Sequence, residues 1–517
     1  MQSSPEWQKL QAHYTTLKHL TLNDFFQNDA DRFAKHHILF QDLLLDYSRH
    51  PIQDDTKKLL LDLAKAASVD AHIKKMFKGD KVNFTEQRAA LHTALRASQE
   101  DVPFKDVIQR CLSDLEVFTN AIREHKILSP AGKPYKDIVN IGIGGSHLGP
   151  QMAIHALKHF CQKDLRCHFI SNVDEEHIFD VLDEIDPANS LFIISSKSFT
   201  TIETLTNATT VKKWLAEKCP GVAIAQQFVA ITAAKDKALA FGISETHLFP
   251  MWDWVGGRYS IWSAIALPLI LMIGIDNFKE FLAGARAMDH HFQTAPFENN
   301  MPVMAALLGI WHINFHGTNN LAILPYSHRL DFLPMYIQQL DMESNGKQID
   351  LVGNPLSYQT GPIIWGEQGC NGQHAFYQSL HQGTHQIVAD FIIAGHPHAH
   401  YPAQQDLLVA SALSQTQALL QGKETNNLAM RIPGNHSSNV FFLKSITPYN
   451  LGMLLAMYEH KVFVQSVIWQ INAFDQYGVE LGKALLPAIL ESISGDTHLP
   501  ANSSIAGLLA YYHKIRA

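Results

Sequence analysis

The sequence predicts an α/β protein of two α/β sandwich domains with helical arms at both ends, and three observations carry that reading. Short apolar runs alternate with helical segments twice along the chain. Strands joined through helices need crossover connections, which build mainly parallel sheets. Before and after these two blocks the apolar residues recur at helical spacing instead. Hydrophobic residues make up 46% of the 517 and charged residues 17%, which supports large cores and excludes a globally disordered chain. That length suits about three domains, or two large ones.

Residues 1–126 form the helical N-terminal arm, or part of a large domain, because KKLLLDLAKAA and DVIQRCLSDLEVF carry the helical period. ILSPAGKPY is a Pro/Gly connector. The first α/β domain, 127–276, has strands at IVNIGI, CHFI, LFIISS and FVAIT, with helices at HIFDVLDEI and TTVKKWLAEK. The apolar run SIWSAIALPLILMIG reads as the helix that closes it. In the second domain, 277–445, helical stretches over 278–316 lead to the strand LAILPYS and the helix DFLPMYIQQLDME. The strand PIIWG, the helix GQHAFYQSLHQ and the strand QIVADFIIAG come next. The helix DLLVASALSQTQALLQG and the strand NVFFLKS complete it, and helices fill 446–517.

Composition narrows the function classes. The net charge is −8 with His neutral, and no Lys/Arg block occurs, so no nucleic-acid partner is expected. Cys111, Cys161, Cys167, Cys219 and Cys370 are odd in number and lack CxxC spacing, which fits a reducing compartment. The N-terminal stretch has no basic start followed by an apolar run. The longest uncharged apolar stretch, between Arg258 and Asp276, is short for a membrane span and contains Pro268. A cytoplasmic location without membrane partners is expected. Among 29 histidines there is no HExxH, and the densest group, His396, His398 and His400, lies between prolines. That spacing reads as a solvent-facing loop, and no metal is expected.

Five stretches can carry chemistry. In IVNIGIGGSHLGP a strand runs into a glycine turn at a helix start, where backbone N–H groups can approach an anion. The third GxGxxG position is His147, so the dinucleotide fingerprint fails, and a plain turn capped by Ser146 is an equal reading. In ISSKSFTTIETL, Ser195, Ser196, Lys197, Ser198, Thr200 and Thr201 follow a strand end, the usual place for ligands in open α/β sheets. Thr200 and Glu203 fit a capping box, which leaves the other hydroxyls unexplained. In WDWVGGRYS, two glycines precede Arg258, a permanent cation suited to an oxyanion or to an ion pair with Asp253 or another acid. In QQLDMESNGK, Gln339 and Glu343 share a helix face, and Asn345 or Gly346 supplies a left-handed cap. In WGEQGCNGQHAFYQSLHQ, His374 opens a helix and competes with His381 and His385 as a proton carrier. Near the end, FDQYGVELGK reads as a helix with Gln476 and Lys483 on one face. Gly478 and Gly482 cost that helix roughly 1 kcal/mol each against Ala.

Taken together, GIGGS, SKSFTT, GGRYSIWSA, DMESNGK, NGQHAFYQ and FDQYGVELGK resemble, in order, the motifs of the glucose-6-phosphate isomerase family. The resemblance spans about residues 50–515, and its two longest motifs are the family's signature stretches. It implies two three-layer α/β/α sugar-isomerase (SIS) domains, a homodimer, no cofactor, and interconversion of glucose 6-phosphate and fructose 6-phosphate. It further implies Glu343 as the base moving a proton between C2 and C1, and Arg258 facing the enediolate. His374, given by the neighbouring subunit, and Lys483 serve ring opening. Gly145, Ser146, Ser196, Ser198 and Thr201 correspond to the phosphate loop, with Lys197 contributing backbone. Gln339 and Gln476 correspond to sugar-contacting amides, and Glu203 to a supporting residue. Ser198 stands where the family often has Thr. His147 stands where Asp is frequent and introduces a titratable ring beside the phosphate serine. Cys370 replaces a small residue. A related isomerase of another sugar phosphate, a non-catalytic sugar-phosphate sensor and a nucleotide-dependent oxidoreductase are the competing readings. The joint presence of Glu343, His374 and Lys483 speaks against a sensor.

Overall fold

The computed structural model describes residues 1–98, 102–221, 223–398, 400–495 and 503–516. It divides into two units, Met1–Ala473 and Phe474–Ala517. The larger unit contains two sheets. The first has five parallel strands, β3 (Asp137–Ile141), β4 (Arg166–Ile170), β5 (Ser190–Ser195), β6 (Phe228–Thr232) and β7 (Leu248–Pro250), in the order β4-β3-β5-β6-β7. β3 and β5 are buried at every residue, as continuous apolar runs between two helix layers should be. On one face Val139, Phe192, Ile194 and Phe228 pack with Ile178, Val211 and Leu215 from the flanking helices. The helix Leu267–Ile273 contacts β3 and β4 and also packs on the helices Lys105–Arg123 and Gly145–Ala156.

The second sheet has six strands in the order β1-β2-β11-β10-β8-β9. Its parallel part is β8 (Asn320–Tyr326), β9 (Ile363–Trp365), β10 (Val388–His396) and β11 (Ser438–Ser445). The hairpin β1 (His37–Phe40) and β2 (Leu43–Arg49) adds two antiparallel strands along β11. This hairpin lies inside the stretch read from sequence as helical. Its turn carries no Gly, Asn or Pro; Gln41 itself takes the left-handed conformation, at φ 51°. Asp42 is the second turn residue, but the Asn-Gly or Asp-Gly pair that marks a two-residue hairpin is missing. β7 was also absent from the sequence reading, because its three residues are too short for a period.

The predicted closing helix SIWSAIALPLILMIG is only partly helical. 3₁₀ turns cover Gly257–Trp262 and Ala264–Ala266, and an α-helix runs over Leu267–Ile273. Ser260 Oγ donates to the Gly257 carbonyl, Ser263 Oγ donates to the Ser260 carbonyl, and Ser263 Oγ accepts from the Ile265 N–H. These local bonds compete with the α-helical ladder.

The smaller unit contains the helices Glu480–Ser494 and Ser504–Arg516. Part of the predicted C-terminal helical stretch, residues 496–502 and 517, lies outside the described residues, as does Ala399 between the loop histidines. Among the described residues, no helix is long and apolar enough to cross a membrane.

Candidate active site

The two glycine- and hydroxyl-rich turns meet at neighbouring strand ends. β3 and β5 pair side by side. Gly142, just after β3, faces Ser146 and Ser195, where an added Cβ would come within 3.0 Å of the Ser146 Cβ and of the Ser195 carbonyl. The turn is braced by side chains: Asn140 Nδ2 donates to the Ser146 carbonyl at 3.0 Å, and Ser195 Oγ donates to Asn140 Oδ1 at 3.0 Å. Gly145 opens its helix and permits the closest approach in the region. A Cβ there would lie 2.0 Å from the Gly257 carbonyl oxygen and 2.8 Å from Arg258 N.

Around β5, Ser196 is buried and its Oγ donates to Thr201 Oγ1 at 3.3 Å, while the Ser198 and Thr200 hydroxyls share a bond of 2.7 Å. The expected Thr200–Glu203 capping box is absent. The helix Ile202–Lys218 is capped by Thr201, whose side chain makes no capping bond. The hydroxyls thus cluster among themselves at the helix start. Such starts present N–H groups and a positive dipole end suited to a phosphate. Glu203 is half-buried in the first turn.

Arg258 is almost wholly buried, at 2% exposure. Its Nε donates to Ser344 Oγ at 2.7 Å and one terminal nitrogen donates to the Ala473 carbonyl at 2.5 Å. The other terminal nitrogen is 3.4 Å from Glu343 Oε2. Glu343 and Gln339 do share one face of the helix Leu333–Asn345, and Gln339 Nε2 donates to Glu343 Oε2 at 3.1 Å. Gln339 also reaches the first turn: its Nε2 is 3.3 Å from where a Cβ on Gly144 would stand. Gln339, Glu343 and Arg258 are therefore gathered beside the glycine turn. The left-handed helix cap is not found, since Gly346 has φ −73°. The Lys347 ammonium takes that role, donating to the Glu343 and Ser344 carbonyls, both at 2.9 Å. A cation on the last carbonyls satisfies the same orphan groups.

His374 does not open a helix. The chain forms Gly369–Gln373 and Tyr377–Gln382, and His374 lies in the turn between them. Gly369 packs on the Tyr326 ring, Gly372 sits against Phe376, and three-residue turn bonds from His374 and Ala375 replace the helical ladder. The His374 ring is exposed. His381 instead bonds Gln415 at 2.8 Å. Cys370 is half-buried, with Sγ 4.0 Å from Ser411 Oγ. Burial pulls the His147 imidazole below its ordinary pKa, and its ring lies 5.4 Å from that of Phe169. A neutral ring at pH 7 follows, rather than a charge beside Ser146.

In the smaller unit, Tyr477–Val479 is a 3₁₀ turn and the helix begins only at Glu480. Gln476 precedes the helix, so it and Lys483 do not share a helical face. Lys483 is exposed and pairs with Glu480 at 2.8 Å. Within this unit neither Gly478 nor Gly482 is forced by a close neighbour.

Sequence reasoning missed Ser344, Tyr259 and the Ala473 carbonyl, which hold the guanidinium. Tyr259 OH lies 3.0 Å from Ser344 Oγ. Ser344 and Tyr259 directly follow Glu343 and Arg258 in the chain, which was the available signal.

Comparison with known proteins bears on this geometry. The family model described as phosphoglucose isomerase matches residues 46–509. The chain is 45% identical to glucose-6-phosphate isomerase 2 of Chromobacterium violaceum, over 99% of this chain and 98% of that one. It is 45% identical to the glucose-6-phosphate isomerase of Deinococcus radiodurans, again over 99% and 98%. Among solved structures, a glucose-6-phosphate isomerase from Chlamydia trachomatis superposes with a TM-score of 0.88 at 31% identity, covering 99% of each chain.

Proposed function

The chain belongs to the phosphoglucose isomerase family, and from that premise we propose how its residues divide the work. The reaction interconverts glucose 6-phosphate and fructose 6-phosphate, a step of glycolysis and gluconeogenesis. A ring-closed sugar must gain a proton on its ring oxygen and lose one from its anomeric hydroxyl. In our reading His374 and Lys483 handle that exchange. Lys483 takes this role from its motif alone. The open chain then loses a proton beside its carbonyl. Glu343 removes it from C2 and returns it to C1, a general acid–base step worth roughly 100- to 10,000-fold.

The observation that carries this reading is the Arg258–Glu343 arrangement. The carboxylate is partly open, with 22% of its side chain exposed, and stands 3.4 Å from a fixed, buried guanidinium. Negative charge appears on the substrate oxygens as Glu343 takes the proton. A preplaced cation stabilises that charge without reorganising. The Gly145–Ser146 turn and the Ser196–Thr201 loop form the phosphate cradle, whose binding energy orients the reacting carbons. Gln339 and Gln476 as sugar-contacting amides, and Glu203 as a supporting residue, take these roles from their motifs alone.

We further assign a cytoplasmic homodimer in which His374 is supplied across the interface. Its exposure on this chain supports this. Subunit mixing tests the assignment. Glu343→Gln and His374→Ala subunits, each inactive alone, are refolded together and assayed with fructose 6-phosphate in a coupled assay without added metal. If His374 acts in the partner's site, hybrid dimers hold one intact site and activity returns. No recovery would mean that both residues act within one chain.

A further inference from the structure

Family motifs assign the phosphate loop its main chain at Lys197, yet the Lys197 side chain is the more informative part. Its ammonium donates to the Asp253 carbonyl at 3.1 Å and to the Val255 carbonyl at 3.2 Å. These carbonyls belong to the irregular segment that ends in Gly256, Gly257 and Arg258. The neighbouring carbonyls are served by main chain: Trp252 accepts from Val255 N and Trp254 accepts from Leu91 N. Lys197 therefore fills the gap in that segment's bonding. The lysine's own backbone is pinned as well. Its carbonyl accepts from Ala233 N at 3.0 Å and from Thr232 Oγ1 at 3.2 Å.

The opposite wall of the cradle touches the same segment. Gly145 lies against the Gly257 carbonyl with no room for a Cβ, and Ser260 Oγ lies 3.4 Å from the Gly145 carbonyl and 2.7 Å from that of Gly257. Both arms of the phosphate cradle thus press on the residues directly before Arg258. We propose that Lys197 is a positioning residue, whose side chain ties the phosphate loop to the Arg258 turn so that the seated phosphate is held in register with the fixed guanidinium. The inference rests on the reading of Arg258 as the enediolate-facing charge. It gives the remote phosphate a hydrogen-bonded link through the protein to the Arg258 turn, and it sets Lys197 apart from a lysine that merely attracts the phosphate.

Lys197→Met, which keeps length and removes the donors, tests this beside wild type and Arg258→Met. The measurements are kcat and KM for fructose 6-phosphate, the inhibition constant of inorganic phosphate, and the thermal midpoint. Misplacement by about 1 Å can cost about a hundredfold. The expected result is a kcat loss of about tenfold to a hundredfold, with phosphate inhibition within about threefold of wild type. An unchanged kcat overturns the proposal. So does a phosphate inhibition constant that weakens as far as kcat falls, which would make Lys197 a phosphate charge. If Lys197→Met does not fold, Lys197→Gln keeps one donor and must show the same split with a smaller kcat loss. Normal turnover in Arg258→Met would sink the underlying reading of the site. Impaired Arg258→Met beside normal Lys197→Met would sink this inference alone.

Discussion

Arg96 and Arg258 are both buried, at 1% and 2% exposure, and both face carboxylates. Arg96 is saturated. Its Nε and one terminal nitrogen donate to the two oxygens of Asp289 at 2.8 and 2.7 Å, the other terminal nitrogen donates to Glu459 at 2.6 Å, and its guanidinium lies over the Trp262 ring. The carboxylates are used up too: Asp289 bonds His460 at 2.6 Å, and Glu459 accepts from Trp262 Nε1 at 2.7 Å. Arg258 is held from behind by Ser344 and Ala473, while its carboxylate stands off at 3.4 Å and is partly open. In the Arg96 cluster both carboxylates are closely paired and buried, whereas the Arg258–Glu343 pair leaves its acid partly open, which is what the proposed proton transfer requires. Perturbed charge alone would not separate the two. Burial pushes Glu459 up to about 7 although it lies in the structural cluster.

The largest expected effect is on the open pair. Glu343→Gln keeps the shape and the Gln339 contact but removes the base. We expect kcat to fall ~100- to 10,000-fold, with the thermal midpoint and sugar-phosphate affinity little changed. Near-normal turnover in this variant would remove Glu343 from the mechanism. The saturated pair should respond in the other currency. Arg96→Met strands two buried carboxylates, and breaking a buried pair in this way costs about 3–5 kcal/mol. Denaturant unfolding should show that loss, while kcat of the folded fraction stays close to wild type. A large kcat loss at unchanged stability would make Arg96 part of the site.

The contrast also shows what the sequence could reveal. The parallel strands of both sheets were legible, except the short β7, because buried parallel strands read as continuous apolar runs. The hairpin β1–β2 was not, because its Gln41–Asp42 turn lacks the Asn-Gly or Asp-Gly pair that signals a two-residue hairpin. At the site, Glu343 with Gln339 followed from helical spacing and is found as such. The Arg258–Glu343 contact joins residues far apart in the chain and rested on motif resemblance rather than on any local pattern. Motifs of this kind mark positions, but they do not report the bonding behind them. Ser344, Tyr259 and the Lys197 ammonium were invisible for that reason. The Arg96 cluster drew no notice at all, since its members, Arg96, Asp289, Glu459 and His460, come from three distant segments.

Ser344 sharpens the comparison from the active side. Its hydroxyl accepts from Arg258 Nε and meets Tyr259 OH, so it acts through the arginine. Ser344→Ala leaves one guanidinium donor without its acceptor, a loss of about 1.5–3 kcal/mol for a charged hydrogen bond. We expect most of it in kcat, about tenfold or more, with KM moving less. Equal loss in stability and none in kcat would move Ser344 to the structural class.

The smallest effect tests the saturated side through its protonation. Glu459 has a folded value of about 7 against an ordinary 4.5, because burial outweighs the attraction of Arg96. Between those values the folded state holds a proton that the unfolded state has released, so stability from this group is present below pH 4.5 and is lost as pH rises to about 7. Asp289 does not titrate in that window, since Arg96 and His460 overcome its own burial and hold it at about 2. The neighbouring His92 and His460 are pushed down by burial and are common to both proteins compared. Glu459→Gln removes only the Glu459 titration. Its amide cannot accept from both Arg96 and Trp262, which adds a cost that does not vary with pH. Wild type should therefore be the more stable protein at pH 5, and its advantage should shrink by ~1–3 kcal/mol by pH 7.5. A difference that stays flat over this range would mean that Arg96 keeps Glu459 ionised throughout, and that the structural cluster is fully charged at every pH where the enzyme is folded.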